Sequence, residues 1–166
     1  MEYNFYNKSI LEIGVGPGTT FAAIKLILSD RLTYIGTDTS QEYVNFVSDT
    51  WKMKTVQTDI THLPGKNKSY DYIVALDVLE HVEPKFRLAG YDEINRVLKN
   101  DGRIILNTTK NIEPDSEAYH WGFFGGDLTT LINACSLYIE KREAYEVMIP
   151  EIKEVRHYEF FVGRRK

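Results

Sequence analysis

The chain has 166 residues and a formal net charge of -4, with 43% hydrophobic and 27% charged residues. These values are typical of one soluble globular domain. A net negative charge disfavours a dedicated binder of duplex nucleic acid, since such proteins neutralise phosphates with clustered lysine and arginine. No apolar run approaches the roughly 18 residues of a membrane-spanning helix, and residues 1–8 contain no apolar signal-peptide core. We therefore expect a cytoplasmic protein with a single domain over residues 1–166 and no membrane partner.

Short apolar runs alternate with helical patterns along the chain. The pattern predicts strands at residues 9–13, 32–37, 55–58, 72–76 and 103–107. It predicts helices at residues 20–29, 41–50, 85–98 and 127–134, the first of them buried over most of its surface. The run at 100–102 is predicted to end the third helix in a turn. Two long alternating segments, 137–148 and 156–164, predict a terminal antiparallel pair of strands.

The early strands are continuously apolar, as strands buried on both faces of a sheet must be. Their alternation with helices predicts a doubly wound α/β fold with a mostly parallel sheet. In such folds ligands bind beyond the carboxyl ends of the strands. The single cysteine, Cys135, lies in a helical apolar pattern and is expected to be a small buried hydrophobic residue. We expect no metal site.

A glycine-rich loop follows the first strand and opens the first helix. Gly14, Gly16 and Gly18 permit a close approach of a ligand to the backbone, and the helix N-terminus offers free N–H groups. A dinucleotide fingerprint would place its third glycine at Thr19. Glu12 would sit poorly beside a pyrophosphate but well beside an ammonium group. The loop therefore favours a cofactor with an amino group, and a plain tight turn between strand and helix is the alternative.

Acidic residues follow the next strands in order. Asp38 ends the second strand about 20 residues beyond the loop, where a carboxylate commonly binds ribose hydroxyls. Asp59 ends the third strand, where it can accept from an exocyclic amine while Ile60 packs on a purine. Asp77 ends the fourth strand, just before Glu80 and His81. One such acid is more often a cap or turn residue, but the ordered series favours a nucleoside-containing ligand.

The segments 11–18 and 72–82 resemble the class I S-adenosylmethionine-dependent methyltransferases, in the branch that methylates small molecules. The resemblance implies a mostly parallel seven-stranded sheet with an antiparallel C-terminal hairpin. It also implies an enzyme that transfers a methyl group from S-adenosylmethionine to an acceptor, most simply a small molecule. The cofactor-binding residues that it implies are Glu12, Gly14, Gly16, Gly18, Asp38, Thr39, Asp59, Ile60 and Asp77. No Asn/Asp-Pro-Pro-Tyr-like run follows the fourth strand, which argues against methylation of nucleic-acid amino groups.

Many members of this class carry helices before the first strand that cover the active site, whereas only about eight residues precede it here. We expect the cap to come from a lid at residues 111–126, from a homodimer or from a partner subunit. The aromatic centre of this segment, including Trp121, would shield the cofactor or pack as core, and both interpretations stay open. His120 is the candidate general base, needed only if the acceptor must lose a proton.

Two other functions stay open from the sequence. A small cap would suit a non-catalytic S-adenosylmethionine-binding accessory subunit that supports a partner methyltransferase. An NAD-dependent oxidoreductase would share the loop context, although the glycine spacing disfavours it. Turnover by the isolated chain would distinguish a methyltransferase from an accessory subunit. Binding of a nicotinamide cofactor would indicate an oxidoreductase. The atom that is methylated is not specified by any motif.

Overall fold

The apolar runs form strands and the 3.6-residue patterns form helices. The computed structural model describes residues 5–28, 32–110, 121–122, 125–149 and 154–166. The strands are β1 (Ser9–Ile13), β2 (Thr33–Asp38), β3 (Lys54–Gln57), β4 (Tyr70–Leu76), β5 (Leu98–Lys110), β6 (Leu137–Ile149) and β7 (Glu154–Arg165). The helices are α1 (Thr19–Leu28), α2 (Gln41–Trp51), α3 (Pro84–Val97) and α4 (Gly125–Ala134), with a short 3₁₀ turn at Leu79–His81. Within these ranges no helix combines the length and the apolar character needed to cross a bilayer.

The strands form one sheet in the order β3-β2-β1-β4-β5-β7-β6. The pairs among β1 to β5 are parallel, and β7 runs antiparallel to both β5 and β6. The predicted fold class is therefore confirmed. The chain winds in one direction from β1 to β3 and in the other from β4 onward, so the winding reverses between β1 and β4. A ligand site is expected beyond the carboxyl ends of these two strands.

Two hydrophobic cores lie on opposite faces of the sheet because successive strand residues point to opposite sides. The larger core packs α3 and α4 against the sheet through Leu11, Ile73, Tyr91, Ile94 and Leu131. The smaller core packs α1 and α2 through Ile10, Val15, Phe21, Tyr34 and Val47. Cys135 is fully buried in the larger core, as predicted, and its thiol donates to the Tyr91 carbonyl.

The predicted burial of the first helix is wrong. Leu26 is 89% exposed and Ile27 is 79% exposed, whereas Phe21 is buried and Ile24 is half-buried. The helix contacts the smaller core through a narrow stripe, so its apolar residues on the other side meet solvent. Because α1 has apolar residues on all sides, its sequence does not show which side is buried.

The predicted turn at residues 100–102 is also wrong. Helix α3 ends when the Leu98 N–H donates to the Ile94 carbonyl, and Leu98 already begins β5. The pairing of β4 with β5 shifts from Tyr70–Leu98 to Tyr72–Arg103, so a bulge in β5 absorbs the extra residues. A bulge accommodates a glycine and a change of direction without breaking the strand.

Candidate functional site

A cavity of about 690 Å³ lies at the carboxyl edge of the sheet, where the winding reverses. The ends of β1, β2, β3 and β4 and the 3₁₀ turn line it. Seven of the nine predicted cofactor-binding residues are in this lining: Gly14, Gly16, Asp38, Thr39, Asp59, Ile60 and Asp77. The structure therefore brings most of the predicted site together at one place, and we call this space the cofactor cavity.

The glycine loop is tied to the end of β2 by hydrogen bonds. The N–H groups of Gly14 and Val15 donate to the Thr37 carbonyl at 2.8 and 3.0 Å. The Gly16 N–H donates to Asp38 Oδ2 and the Ser40 N–H donates to Asp38 Oδ1, both at 2.9 Å. Each carboxylate oxygen retains acceptor capacity for a ligand, because an ionised carboxylate accepts at about four sites. Asp38 thus fixes the loop and faces the cofactor cavity with the same group.

Gly16 and Gly18 differ in the space around the position that a Cβ atom would occupy. Gly16 has a φ of +47°, and a Cβ there would have no atom of the described residues within 4 Å. Gly18 has a φ of +82°, and a Cβ there would lie 2.8 Å from the Trp51 ring. Gly16 therefore opens onto space that a ligand can use, whereas Gly18 lets α2 approach the loop and is absent from the described lining. Cofactor binding by Gly18 stays a prediction.

Glu12 is buried beneath the loop and lies outside the described lining of the cavity. The residue is 2% exposed, and its carboxyl accepts a hydrogen bond of 2.9 Å from the Tyr34 hydroxyl. Burial raises the pKa of Glu12 to about 7, although the hydrogen bonds from Tyr34 and Thr20 oppose that rise. Its predicted role toward the cofactor amino group stays a prediction.

The far end of the cofactor cavity is built from the residues after β3. Asp59 Oδ1 accepts from the Thr61 N–H at 2.7 Å and from the Thr61 hydroxyl at 2.5 Å, and these bonds lower the pKa of Asp59. The Ile60 side chain is buried, and it packs where a Cβ on Gly90 of α3 would have to be. This end therefore offers an ionised carboxylate beside an apolar floor.

The opposite end of the cofactor cavity is built around Asp77. The Asp77 N–H donates to the Asn107 carbonyl at 2.9 Å, and Asn107 Nδ2 donates to Asp77 Oδ1 at 2.8 Å. Burial and the neighbouring charge of Glu80 raise the pKa of Asp77. Glu80 is 1% exposed and accepts from the N–H and hydroxyl of Thr109. Glu80 thus joins the 3₁₀ turn to β5, a supporting position rather than one in the cavity.

A second cavity of about 450 Å³ lies on the α1 side of the same loop. It shares Gly14, Gly16 and Asp77 with the cofactor cavity and extends to Asn107 and Tyr145. The Tyr145 hydroxyl donates to Asn107 Oδ1 at 2.7 Å. Neither Asn107 nor Tyr145 is among the site residues predicted from the sequence. Asn107 ends the predicted fifth strand, and the expectation that ligands bind at the carboxyl ends of strands points to it. The position of Tyr145 depends on the register of the hairpin.

The predicted lid falls mainly on residues 111–120 and 123–124, which lie outside the described residues, as does His120. The lid and the general base therefore stay predictions. Two described residues near the end of the predicted lid, Trp121 and Gly122, form hydrogen bonds with the 3₁₀ turn and with α3. The Trp121 N–H donates to the Glu80 carbonyl at 2.7 Å, and the Arg87 guanidinium donates to the Gly122 carbonyl. Arg87 is itself paired with Asp127 at 2.8 Å.

The sheet order, the glycine loop and the ordered acids define a protein of the class I S-adenosylmethionine-dependent methyltransferase type. Residues 11–106, more than half of the chain, match the family described as the methyltransferase domain. The chain belongs to this family. The prediction of the class and of its cofactor is confirmed at this level.

Solved structures share the fold. A SAM-dependent methyltransferase from Methanosarcina mazei is 16% identical, with a TM-score of 0.80 over 98% of this chain and 94% of that one. Geranyl diphosphate C-methyltransferase from Streptomyces coelicolor, solved with S-adenosyl-L-homocysteine, is 9% identical, with a TM-score of 0.75 over 96% and 70%. A chain in the complex of a methyltransferase with the Haloferax volcanii Trm112 activator is 14% identical, with a TM-score of 0.73 over 97% and 83%. Because the sequence identities are this low, the similarity to these structures concerns the fold alone.

Two curated relatives match shorter stretches. An uncharacterized protein of Methanocaldococcus jannaschii is 38% identical over 55 residues, which cover 33% of this chain and 23% of that protein. An uncharacterized 37.1 kDa protein in transposon Tn4556 of Streptomyces fradiae is 34% identical over 113 residues, which cover 65% and 30%. The chain therefore spans less than a third of the length of the curated relatives that it matches.

Proposed function

We propose that this chain binds S-adenosylmethionine in the cofactor cavity and transfers its methyl group to a small-molecule acceptor. The observation that carries the proposal is the order of the lining. The ends of β1, β2, β3 and β4 contribute the glycine loop, Asp38, Asp59 and Asp77 to one cavity. A nucleoside attached to a cationic amino acid has the hydroxyls, the amine and the positive charge that these groups complement.

The residues present fit that cofactor on two structural grounds. Asp38 holds the loop through one bond at each oxygen and lines the cavity, so its remaining acceptor capacity suits two ribose hydroxyls. The open space at Gly16 leaves room for a ligand against the backbone. Asp59 and Ile60 would hold the adenine ring by its amine and its face.

The charges at the other end suit a cation. Asp77 lies where the strand ends meet, and burial makes its ionised form costly without a partner. A positive group placed there stabilises that ionised form. When bound, S-adenosylmethionine supplies a methyl group on a positively charged sulfur that leaves as a neutral thioether. The chain's own contribution is then to place the acceptor in line and to exclude water.

Two considerations favour a small acceptor. The net charge of -4 suits neither a DNA nor an RNA backbone. The Streptomyces coelicolor relative of the same fold acts, by its name, on geranyl diphosphate. The Haloferax volcanii relative comes from a complex with a methyltransferase activator. A partner protein is therefore a second condition to test if the isolated chain shows no turnover.

Isothermal titration calorimetry with S-adenosylmethionine, S-adenosylhomocysteine and NAD tests the cofactor. We expect saturable binding of the first two and weak or no binding of NAD. Micromolar NAD binding without a response to the sulfonium cofactor would overturn the proposal in favour of an oxidoreductase.

Transfer of label from methyl-labelled cofactor into a pool of metabolites tests the reaction. Labelled small molecules are the expected result with the isolated chain. Cofactor binding without turnover by the isolated chain would instead favour an accessory subunit or an enzyme that requires a partner. Comparison with His120→Ala across pH 6–9 would show whether this histidine acts as a base, since loss of a general base lowers the rate by about 10²–10⁴-fold.

A further inference from the structure

The second cavity meets the cofactor cavity at the end away from Asp59. The two cavities share Gly14, Gly16 and Asp77, whereas Asp38, Asp59 and Ile60 line the cofactor cavity alone. A molecule in the second cavity would therefore touch the end of the cofactor that carries the methionine. Donor and acceptor must approach to about 3–3.5 Å for transfer, so a shared wall at this end is the required arrangement.

The lining of the second cavity is polar, and the described residues that form it contribute no positively charged side chain. Hydroxyls come from Thr19 and Thr20 in the first turn of α1, and an amide comes from Asn107. The rings of Phe160 and Tyr145 supply flat apolar surface. No lysine or arginine is among the described residues that line it, and Asp77 is the charged group at its wall. Such a lining favours an uncharged planar molecule over an anion.

A chain of hydrogen bonds fixes which way the Tyr145 hydroxyl acts. It donates to Asn107 Oδ1 at 2.7 Å, and Asn107 Nδ2 donates to Asp77 Oδ1 at 2.8 Å. Its proton is thereby committed, and its oxygen is left as an acceptor. The Tyr145 ring stacks on Tyr158 of β7 with 5.4 Å between centroids and 11° between planes. Strand pairing of Tyr145 with Tyr158 and of Tyr158 with Thr109 sets this position beside the end of β5.

We propose that the second cavity is the acceptor site, that it selects an uncharged aromatic molecule bearing a hydroxyl or an amine, and that the Tyr145 oxygen accepts a hydrogen bond from that group. Tyr145 is thus a positioning residue for the nucleophile. This inference rests on the proposed function, because it takes the cofactor cavity as the donor site.

Three probes with the same ring system test the selectivity. The chain is saturated with S-adenosylhomocysteine and titrated by calorimetry with 2-naphthol, 2-naphthoate and 2-naphthyl phosphate. We expect 2-naphthol to bind at least about tenfold more tightly than either anion. Equal or tighter binding of the carboxylate or the phosphate would overturn the assignment of an uncharged acceptor, and no binding of 2-naphthol would overturn the site.

Two tyrosine variants on the same strand test the position. Tyr145→Phe keeps the ring on Tyr158 and removes the hydroxyl, so 2-naphthol affinity should fall about three- to tenfold, as for the loss of one neutral hydrogen bond. Tyr138→Phe is the matched control, since Tyr138 is also an exposed tyrosine of β6 and is absent from the lining. It should leave the affinity unchanged. Unchanged affinity in Tyr145→Phe, or equal losses in both variants, would remove Tyr145 from the site.

The same samples separate this inference from the proposed function. S-adenosylhomocysteine affinity should fall less than 2-naphthol affinity in Tyr145→Phe, because Tyr145 reaches the cofactor cavity only through Asn107 and Asp77. If S-adenosylhomocysteine binds and 2-naphthol does not, the acceptor site alone is refuted. If S-adenosylhomocysteine itself does not bind, the proposed function fails and this inference fails with it.

Discussion

Asp38 combines a structural and a proposed binding task in one carboxylate. Its two oxygens accept from the N–H groups of Gly16 and Ser40, so it holds the loop after β1 and the start of α2 at the end of β2. These bonds leave acceptor capacity on the carboxylate, and Asp38 also lines the cofactor cavity. A side chain that is already fixed loses little freedom when a ligand binds, which favours affinity.

Replacing Asp38 with alanine should weaken S-adenosylhomocysteine binding by at least about tenfold, since one charge-assisted hydrogen bond contributes roughly 1.5–3 kcal/mol. Calorimetry on the folded variant measures the loss, and circular dichroism confirms the fold. Asp49→Ala is the control, because Asp49 is an exposed acid of α2 outside both cavities. Unaltered affinity in Asp38→Ala would show that the ribose lies elsewhere.

At the scale of elements, α3 shapes the floor of the cofactor cavity without lining most of it. Gly90 sits in the middle of α3, a position where glycine costs helix stability of about 1 kcal/mol relative to alanine. The Ile60 side chain occupies the space that a Cβ would need, with its Cγ2 only 2.8 Å from the Cβ position. The glycine therefore lets Ile60 sit low beneath the far end of the cavity.

Gly90→Ala should push Ile60 toward the cavity and reduce S-adenosylhomocysteine affinity by about three- to tenfold, corresponding to roughly 1 kcal/mol. Stability should change little, because the gain in helix propensity opposes the cost of overpacking. Leu88→Ala is the control on the same helix, since Leu88 is exposed. Calorimetry and thermal unfolding measure the two effects. A variant that loses stability and keeps its affinity would contradict this account of the floor.

The sequence predicted the elements well where local periodicity decides them, and it failed where packing decides them. Strand β1 was located to the residue, because its apolar run ends at a glycine. The sequence does not indicate the bulge at the start of β5, since Asn-Asp-Gly is a common turn sequence and becomes part of a strand only because Leu98 and Arg103 on either side of it pair with β4. The sequence predicts Asp38 and Asp59 as site residues because they follow the carboxyl ends of strands, and both line the cofactor cavity. The sequence does not indicate Tyr145, since its hydrogen bond to Asn107 depends on a hairpin register that has no local signal.

At the scale of the molecule, folding gathers acids at one edge of the sheet. Asp38, Asp59 and Asp77 line the cofactor cavity, while Glu12 and Glu80 are buried beside it. Burial raises the pKa of Glu12 and of Asp77, so the ionised forms of these two carboxyls lower the stability of the protein at neutral pH. The same arrangement favours a cationic ligand, because a positive charge placed there offsets the cost. The site is thus maintained at the expense of stability.

Glu12 makes this cost measurable through pH. Its pKa rises from 4.5 to about 7 on folding because the side chain is buried. Between these values the folded chain holds a proton that the unfolded chain has released. The free energy of unfolding should therefore be highest below pH 4.5 as far as Glu12 is concerned, fall as the pH rises to about 7, and level off above it. The slope in this window is at most about 1.4 kcal/mol per pH unit.

Glu12→Gln removes the titration and keeps an oxygen that can accept from Tyr34. Urea unfolding at pH 5, 6, 7 and 8 should show the variant gaining stability relative to the wild-type chain as the pH rises, by roughly 1–3 kcal/mol in total. Taking the difference between the two proteins cancels the titration of the other acids. Glu42→Gln is the control, because Glu42 is exposed on α2 and its carboxyl stays in water in both states. Its curve should run parallel to that of the wild-type chain. If the Glu12→Gln curve is parallel as well, the buried carboxyl is not the group that links folding to pH at this edge of the sheet.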